Sequence, residues 1–177
     1  NAAPENTMAA FQKVLDYNIP GVELDVHICR TGELLVTHDF NLHRVTGFDS
    51  PIEEADYAAI AELDAGAWFG EEFRCEKVPL LDEVMDLLGD QVYYDIEIKT
   101  EHRSCGPLEQ ALTEAVRRRG YTERVLISSF NPFSIREINR ISPEMNTAVI
   151  YSRSEKIPWY LRHGEGRRAE LDDVLLR

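Results

Sequence analysis

Two carboxylates, Glu23 and Asp25, lie two residues apart in a segment where apolar and polar residues alternate, GVELDVHI at residues 21–28. Alternation with a period of two predicts a β-strand, and both carboxylates then point to the same side of it. Neighbouring carboxylates repel each other and resist burial unless a cation neutralises them. The pair therefore suggests a metal site, although the solvent face of an edge strand would explain it as well.

A second alternating segment, VYYDIEIK at residues 92–99, favours the metal site because it places Glu97 and Lys99 on one face. If the two strands are neighbours, Glu97 joins Glu23 and Asp25, and three hard oxygen ligands suit Mg²⁺ or Ca²⁺ better than zinc. Lys99 is then placed to hold a phosphate oxygen as a point charge. The competing interpretation of Lys99 is a salt bridge with one of the carboxylates.

Histidines supply the candidates for proton transfer, because an imidazole changes its charge near neutral pH. His38 follows the apolar run at residues 34–36 and is placed for general acid catalysis, although a lone histidine after a strand is usually structural or exposed. His27 shares the predicted face of Asp25 and could also reach the site. The other three histidines fall in apparent loops, where solvation explains them.

Two further residues are candidates for contact with a substrate. Arg44 lies in a predicted loop at residues 40–51, where most arginines are simply solvated. Phe130 ends a predicted strand, and its ring would belong either to the core or to the wall of a pocket.

Strands and helices alternate along the chain. Strands are predicted at residues 22–28, 34–38, 92–99, 125–130 and 147–151. Helices are predicted after an N-cap at Asn6 or Thr7, at about residues 52–62 and 79–88, from Pro107 to just before Gly120, and from Pro132. The last residues, 171–176, could form another strand or helix. This order indicates βα units around a parallel sheet.

The polar residues on the strands distinguish between two kinds of parallel sheet. In an open doubly wound sheet helices cover both faces, and strands are apolar on both sides. Strands with carboxylates on one side fit a closed barrel, whose strand ends surround a polar site. A complete barrel usually needs about 250 residues, whereas this sequence has 177. We therefore expect one α/β domain over residues 1–177, a TIM-type (β/α)8 barrel that is incomplete at both ends.

Composition narrows the possible partners. The chain is 44% hydrophobic and 29% charged with a net charge of −13, which argues against binding nucleic acid through a broad basic surface. No apolar run reaches the ~20 residues needed to span a bilayer, so we expect no stable membrane insertion. Three cysteines without a CxxC pair form neither a zinc nor a disulfide pattern and favour a reducing compartment. A cytoplasmic location is expected, with periplasmic or secreted locations left open, and the oligomeric state is not indicated.

Seven short motifs in order give the sequence a family resemblance. They are PENT at 4–7, ELDV at 23–26, THD at 37–39, LDAGAWF at 63–69, VPLLDEV at 78–84, IEIK at 96–99 and SSFNP at 128–132. Each is weak alone, but together they resemble the glycerophosphodiester phosphodiesterase family of the PLC-like phosphodiesterase superfamily. The resemblance implies a TIM-type barrel, one divalent cation, Mg²⁺ or Ca²⁺, and hydrolysis of small glycerophosphodiesters to sn-glycerol 3-phosphate and an alcohol, in lipid and glycerol metabolism.

The resemblance also implies roles for individual residues. The three carboxylates named above match the metal ligands of the family, and His38 matches the proton donor to the leaving alcohol. Lys99 matches a lysine near the substrate phosphate. Glu5 matches the acid of PENT in the active site, and Arg44 and Phe130 match positions in the substrate pocket.

The sequence departs from the family pattern at several points. The family has a His-Arg-Gly motif shortly before PENT and a Trp-Thr-x-Asn motif near its end, and neither is in this sequence, which starts at Asn1. The usual Asp-Gly turn is Thr31-Gly32 here. Without the first catalytic histidine, this exact segment is expected to be inactive or crippled. Two other functions fit: a non-catalytic barrel that binds phosphate ligands, and a lysophospholipase D-type relative, which an apolar patch near the barrel mouth would support.

Overall fold

The structure is a computed structural model that describes residues 2–102 and 106–151. Its strands are β1 (Gly21–Ile28), β2 (Leu34–Val36), β3 (Asn41–Leu42), β4 (Phe48–Pro51), β5 (Tyr93–Ile98), β6 (Val125–Ser129) and β7 (Asn146–Val149). Its α-helices are α1 (Met8–Asp16), α2 (His43–Thr46), α3 (Tyr57–Ile60), α4 (Leu81–Leu88), α5 (Pro107–Arg119) and α6 (Pro132–Ile141). Short 3₁₀ turns cover Ile52–Glu54, Glu71–Phe73 and Thr122–Arg124.

A five-stranded sheet with the order β2-β1-β5-β6-β7 organises these elements. Strands β1, β5, β6 and β7 run parallel, whereas β2 folds back antiparallel onto the last residues of β1. Helix α5 connects β5 to β6, and α6 connects β6 to β7. The predicted βα units and parallel sheet are confirmed, and the pairing of β1 with β2, which the sequence left uncertain, is a hairpin.

The helix boundaries follow the local signals in the sequence. Helix α1 is capped by Thr7, whose side chain accepts a hydrogen bond from the Ala10 N–H. Helix α5 begins at its proline and is followed by Gly120, which adopts a left-handed φ of 71°. The side chain of Asn131 caps α6 by accepting a hydrogen bond from the Phe133 N–H.

The two faces of the sheet differ in polarity. On one face Leu24, Val26, Ile96 and Ile127 are fully buried in the main core, together with the apolar stripe of α4. The other face carries the alternate residues of the same strands, which include all of the predicted carboxylates. Within the described residues the parallel strands form an open arc that does not close, and its polar face corresponds to the inside of a barrel.

The region between β2 and α4 differs from the prediction. The expected loop at residues 40–51 is wrong, because β3 and β4 pair antiparallel and enclose α2. The expected helix at residues 52–62 is also wrong, because extended backbone at Ala55 separates a 3₁₀ turn from α3. Its carbonyl accepts a hydrogen bond of 2.9 Å from the Arg30 N–H. This contact with the hairpin, distant in sequence, overrides the local helical pattern.

Other expectations concern residues beyond these elements. The possible element at residues 171–176 and the third cysteine, Cys105, lie outside the described residues. Among the helices described here, none is both long and apolar enough to cross a lipid bilayer. The single domain over residues 1–177 stays a prediction.

Candidate metal and catalytic site

The three predicted carboxylates meet on the polar face of the sheet. The parallel register of β1 and β5 pairs Asp25 with Glu97 and Glu23 with Asp95, so their side chains lie side by side. Glu23, Asp25 and Glu97 can each offer one oxygen so that the three oxygens lie within 4.8 Å of one another. Asp25 and Glu97 are buried, whereas Glu23 reaches solvent. The structure thus brings together the residues that the sequence nominated as metal ligands.

The Lys99 ammonium forms salt bridges with two of the three carboxylates. Its Nζ is 3.0 Å from Oδ1 of Asp25 and 2.9 Å from Oε1 of Glu97. Burial by itself would lower the pKa of Lys99, but the contacts with Glu97 and Asp25 outweigh it and raise the pKa above its ordinary value. The ammonium is therefore charged, and the salt bridge that competed with phosphate binding in the sequence is present.

The cluster has the chemistry of a divalent cation site. Oδ1 of Asp25 is buried and makes no hydrogen bond of acceptable geometry within the described residues, although the Lys99 ammonium is close. When all are ionised, the three carboxylates and the one ammonium carry a net charge of −2, which a divalent cation neutralises. The donors are all hard oxygens, which Mg²⁺ and Ca²⁺ prefer. The residues therefore fit the predicted cation.

The environment of the cluster raises the pKa of Glu23. Partial removal from water, followed by repulsion from Asp25, Asp95 and Glu97, raises the pKa of Glu23 to about 7. Part of this repulsion comes from Asp95, which the sequence had not nominated for the site. Its Oδ1 accepts a hydrogen bond of 2.7 Å from the hydroxyl of Ser128 on β6.

The PENT segment reaches the same cluster. Nδ2 of Asn6 donates a hydrogen bond of 3.3 Å to Oδ2 of Asp25. Asn6 has a left-handed φ of 51°, which asparagine tolerates better than most residues. The sequence offered it only as a possible helix cap. Its place next to Glu5 in an active-site motif was the signal that could have found it.

His38 stands at the edge of the cluster with a carboxylate behind it. Its Nδ1 is 2.8 Å from Oδ1 of Asp39. The hydrogen bond from Arg44, and to a lesser degree that from His38, holds the pKa of Asp39 below its usual range. An ionised Asp39 can only accept, so Nδ1 of His38 carries the proton and Nε2 is left for exchange with a substrate.

The predicted substrate residues Arg44 and Glu5 contact each other. The Arg44 guanidinium donates one hydrogen bond to Oδ2 of Asp39, at 2.6 Å from Nε, and another to Glu5. Its charged group also lies over the ring of Trp68, 6.0 Å from the ring centroid. Direct contact of Arg44 and Glu5 with a substrate stays a prediction.

His27 is placed against the site but is not available for acid catalysis. Its ring is buried, lies edge-on against Phe40, and has Nε2 3.4 Å from the carbonyl of His38. Burial lowers the pKa of His27 to about 4, so the ring is neutral at neutral pH. This residue therefore supports the segment that carries His38.

Clefts in the described part of the chain open onto the cluster. The first, of about 460 Å³, is lined by Glu5, Asn6, Glu23, Asp25 and His38 among others. The second, of about 550 Å³, runs past Glu97 and Lys99 between the exposed rings of Phe40 and Phe130. The ring of Phe130 is thus part of a cleft wall rather than of the core.

The chain is similar in sequence to known proteins. Residues 1–175 match the model of the Glycerophosphoryl diester phosphodiesterase family. A glycerophosphodiester phosphodiesterase from Caldanaerobacter subterraneus subsp. tengcongensis is 36% identical over 159 residues, which cover 89% of this chain and 65% of that protein. One from Bacillus altitudinis is 32% identical, covering 83% of this chain and 61% of the relative.

Solved structures agree with the sequence relatives. A glycerophosphodiester phosphodiesterase from Agrobacterium tumefaciens superposes with a TM-score of 0.74 at 32% identity, over 82% of this chain and 60% of that one. A phosphodiesterase from Oleispira antarctica, solved in complex with the product sn-glycerol-3-phosphate, has a TM-score of 0.79 at 28% identity, over 91% of this chain and 66% of that one. The chain spans less than two thirds of the length of each of these four relatives. The predicted fold, part of a TIM-type barrel, is confirmed, and the chain belongs to the glycerophosphoryl diester phosphodiesterase family.

Proposed function

We propose that the protein hydrolyses small glycerophosphodiesters to sn-glycerol 3-phosphate and an alcohol, with a divalent cation, Mg²⁺ or Ca²⁺, held by Glu23, Asp25 and Glu97. The observation that carries this proposal is the single cleft in which two of these carboxylates and His38 meet. A cation that neutralises the phosphate and a proton donor for the leaving group can together catalyse hydrolysis of a phosphodiester. The related protein from Oleispira antarctica binds the proposed product.

A bound cation would supply Lewis acidity and neutralise charge on the phosphate. Lys99, beside Asp25 and Glu97, contributes a second positive charge, and its raised pKa keeps it protonated. In the proposed reaction it stabilises the negative charge that develops on the phosphoryl oxygens.

His38 is the proposed proton donor to the leaving alcohol. Asp39 accepts a hydrogen bond from Nδ1–H and stabilises the imidazolium, so the proton that is transferred comes from Nε2. The side chain of His38 is exposed in the cleft, where a substrate can reach it. Phe130 forms a wall of the adjoining cleft, and we propose that it packs against the substrate.

The test is the release of sn-glycerol 3-phosphate from glycerophosphoethanolamine by the full-length protein. We expect release to stop after removal of metal with EDTA and to return when Mg²⁺ or Ca²⁺ is added. Asp25→Asn should lower kcat/KM by roughly 100-fold or more. Asp82→Asn is the matched control, because Asp82 pairs with Arg118 and Arg119 on the helical side of the sheet.

Three results would count against the proposal. Release that is undiminished by EDTA would eliminate the cation, and a His38→Ala variant with the full rate would eliminate the acid. Tight binding of glycerol 3-phosphate without any turnover would instead identify a non-catalytic barrel.

A further inference from the structure

The segment LDAGAWF at residues 63–69 has no part in the function proposed above, yet it is built around one exposed aromatic residue. The Trp68 side chain is 45% exposed, so it contributes little to the core. Its indole Nε1–H donates a hydrogen bond of 2.9 Å to the Ala65 carbonyl, which fixes the orientation of the ring. The loop thus holds a large aromatic face in the open.

The loop beneath Trp68 is strongly constrained. Oδ1 of Asp64 accepts hydrogen bonds from the Gly66 and Ala67 N–H groups, and Oδ2 accepts one from the Cys75 N–H. Gly66 passes so close to the backbone that a Cβ there would lie 2.0 Å from the Phe73 carbonyl oxygen. Such a close approach requires glycine.

The same loop is tied to the segment that carries Glu5. The Glu76 carbonyl accepts a hydrogen bond of 2.8 Å from the Ala65 N–H of the loop, and Oε2 of Glu76 accepts one of 3.2 Å from the Ala9 N–H in the first turn of α1. Glu76 therefore connects the loop to the helix that follows the PENT segment, and Arg44 contacts both Trp68 of the loop and Glu5 of PENT.

What the ring of Trp68 faces is the guanidinium of Arg44, 6.0 Å from the centroid. This geometry is at the outer limit of a cation–π interaction. The guanidinium forms salt bridges with Asp39 and Glu5, and Asp39 in turn contacts Nδ1 of His38. Contacts therefore run without a break from Trp68 through Arg44 and Asp39 to His38.

We propose that Trp68 is a positioning residue for His38, acting through Arg44 and Asp39. The indole fixes the plane of the guanidinium, the guanidinium fixes the Asp39 carboxylate, and the carboxylate fixes the imidazole so that Nε2 points to the leaving group. This inference rests on the proposed function, because it assigns Trp68 to the proton-donor half of that reaction.

The test compares two leaving groups in the full-length, metal-loaded protein. Glycerophosphoethanolamine releases an alkoxide that needs a proton, whereas the p-nitrophenyl ester of glycerol 3-phosphate releases a stable anion that does not. Trp68→Leu should lower kcat for the first substrate by about two- to fivefold, the value of an exposed cation–π contact. It should leave kcat for the second unchanged, and Trp68→Phe, which keeps an aromatic face, should restore most of the loss.

Two comparisons separate positioning from a structural role. In a His38→Ala background, Trp68→Leu should have no further effect, because the residue through which it acts is absent. Tyr93→Leu is the matched control, since Tyr93 has an equivalent contact with Arg124, 5.6 Å from its centroid, at the start of β5 rather than at the site. If Trp68→Leu does not fold, Trp68→Met, which has a similar reach but no π face, replaces it.

The outcomes are distinct. Equal losses on both substrates, a loss that persists in the His38→Ala background, or no loss at all would overturn the inference while the wild-type protein remains active. A wild-type protein that hydrolyses neither substrate would overturn the proposed function, and this inference with it.

Discussion

Replacing Glu23 with glutamine should stabilise the metal-free protein at alkaline pH. The pKa of Glu23 is raised from its ordinary value of 4.5 to about 7. The folded protein therefore holds this proton more tightly than the unfolded chain does, and its stability falls as the pH rises from 4.5 through 7. Above pH 7 the carboxylate is ionised in both states, and the folded state bears the full cost of its partial burial and of the repulsion.

The size of the effect follows from the proton affinity. At about 1.4 kcal/mol for each tenfold change, the raised pKa corresponds to an upper bound of about 3 kcal/mol. Because the Glu23 side chain reaches solvent, which screens its charge, we reduce this to about 1–2 kcal/mol at pH 8. At pH 5 Glu23 is protonated in most of the folded protein. The substitution should therefore raise the free energy of unfolding by only a small fraction of its effect at pH 8.

The assay is urea denaturation of full-length wild-type and Glu23→Gln protein in EDTA, at pH 5 and at pH 8. We expect the variant to have the higher free energy of unfolding at pH 8 and nearly equal stability at pH 5. Glu123→Gln removes the same charge from an exposed position in the 3₁₀ turn before β6 and serves as the control. A variant that is equally stabilised at both pH values, or destabilised at pH 8, would refute the idea that burial and repulsion in the cluster raise the pKa of Glu23.

Three further predictions concern single residues. Lys99→Met should lower the free energy of unfolding of the metal-free protein by about 3–5 kcal/mol, because two buried carboxylates lose their ammonium, and a divalent cation should recover part of this loss in a denaturation assay. His27, whose pKa burial lowers from 6.5 to about 4, resists protonation in the folded state, so stability should fall by about 2–3 kcal/mol between pH 6.5 and 4.5. His27→Phe should remove most of that fall in urea denaturation at the two pH values. Asp64→Ala should lower the Tm and open the following loop to limited proteolysis, because its carboxylate accepts three backbone hydrogen bonds.

The carboxylate cluster could be predicted from the sequence because its information is local. Alternation fixes which side of a strand Glu23, Asp25 and Glu97 occupy, and a parallel sheet places neighbouring strands in register. Given those two rules, the convergence of the three side chains needed only the adjacency of β1 and β5. The same reasoning placed Lys99 at the site but could not identify its partner. An ammonium can bind either a phosphate or a carboxylate, and only the distances in the structure distinguish them.

The surroundings of His38 could not be predicted in the same way. Arg44 follows Asp39 by five residues, but the guanidinium also contacts Glu5, which is 39 residues away in sequence. These contacts depend on the path of the chain through β3, α2 and β4, a region predicted to be a loop. Short strands of two to four residues carry too few alternations for a periodic signal, so their pairing is decided by tertiary contacts.

Lys99 supplies only one positive charge to the three carboxylates. This charge balance relates the stability of the metal-free protein to the ability of the site to bind a cation. A second ammonium would neutralise the cluster further, but it would also remove the charge that attracts a divalent cation. Burial and repulsion from the neighbouring carboxylates together raise the pKa of Glu23, and the repulsion is the interaction that a cation relieves when it binds. Any substitution that removes this repulsion should therefore also lower the affinity of the site for the cation. The variant that is more stable without metal, Glu23→Gln, should be the one that gains least from Mg²⁺ or Ca²⁺ at pH 8.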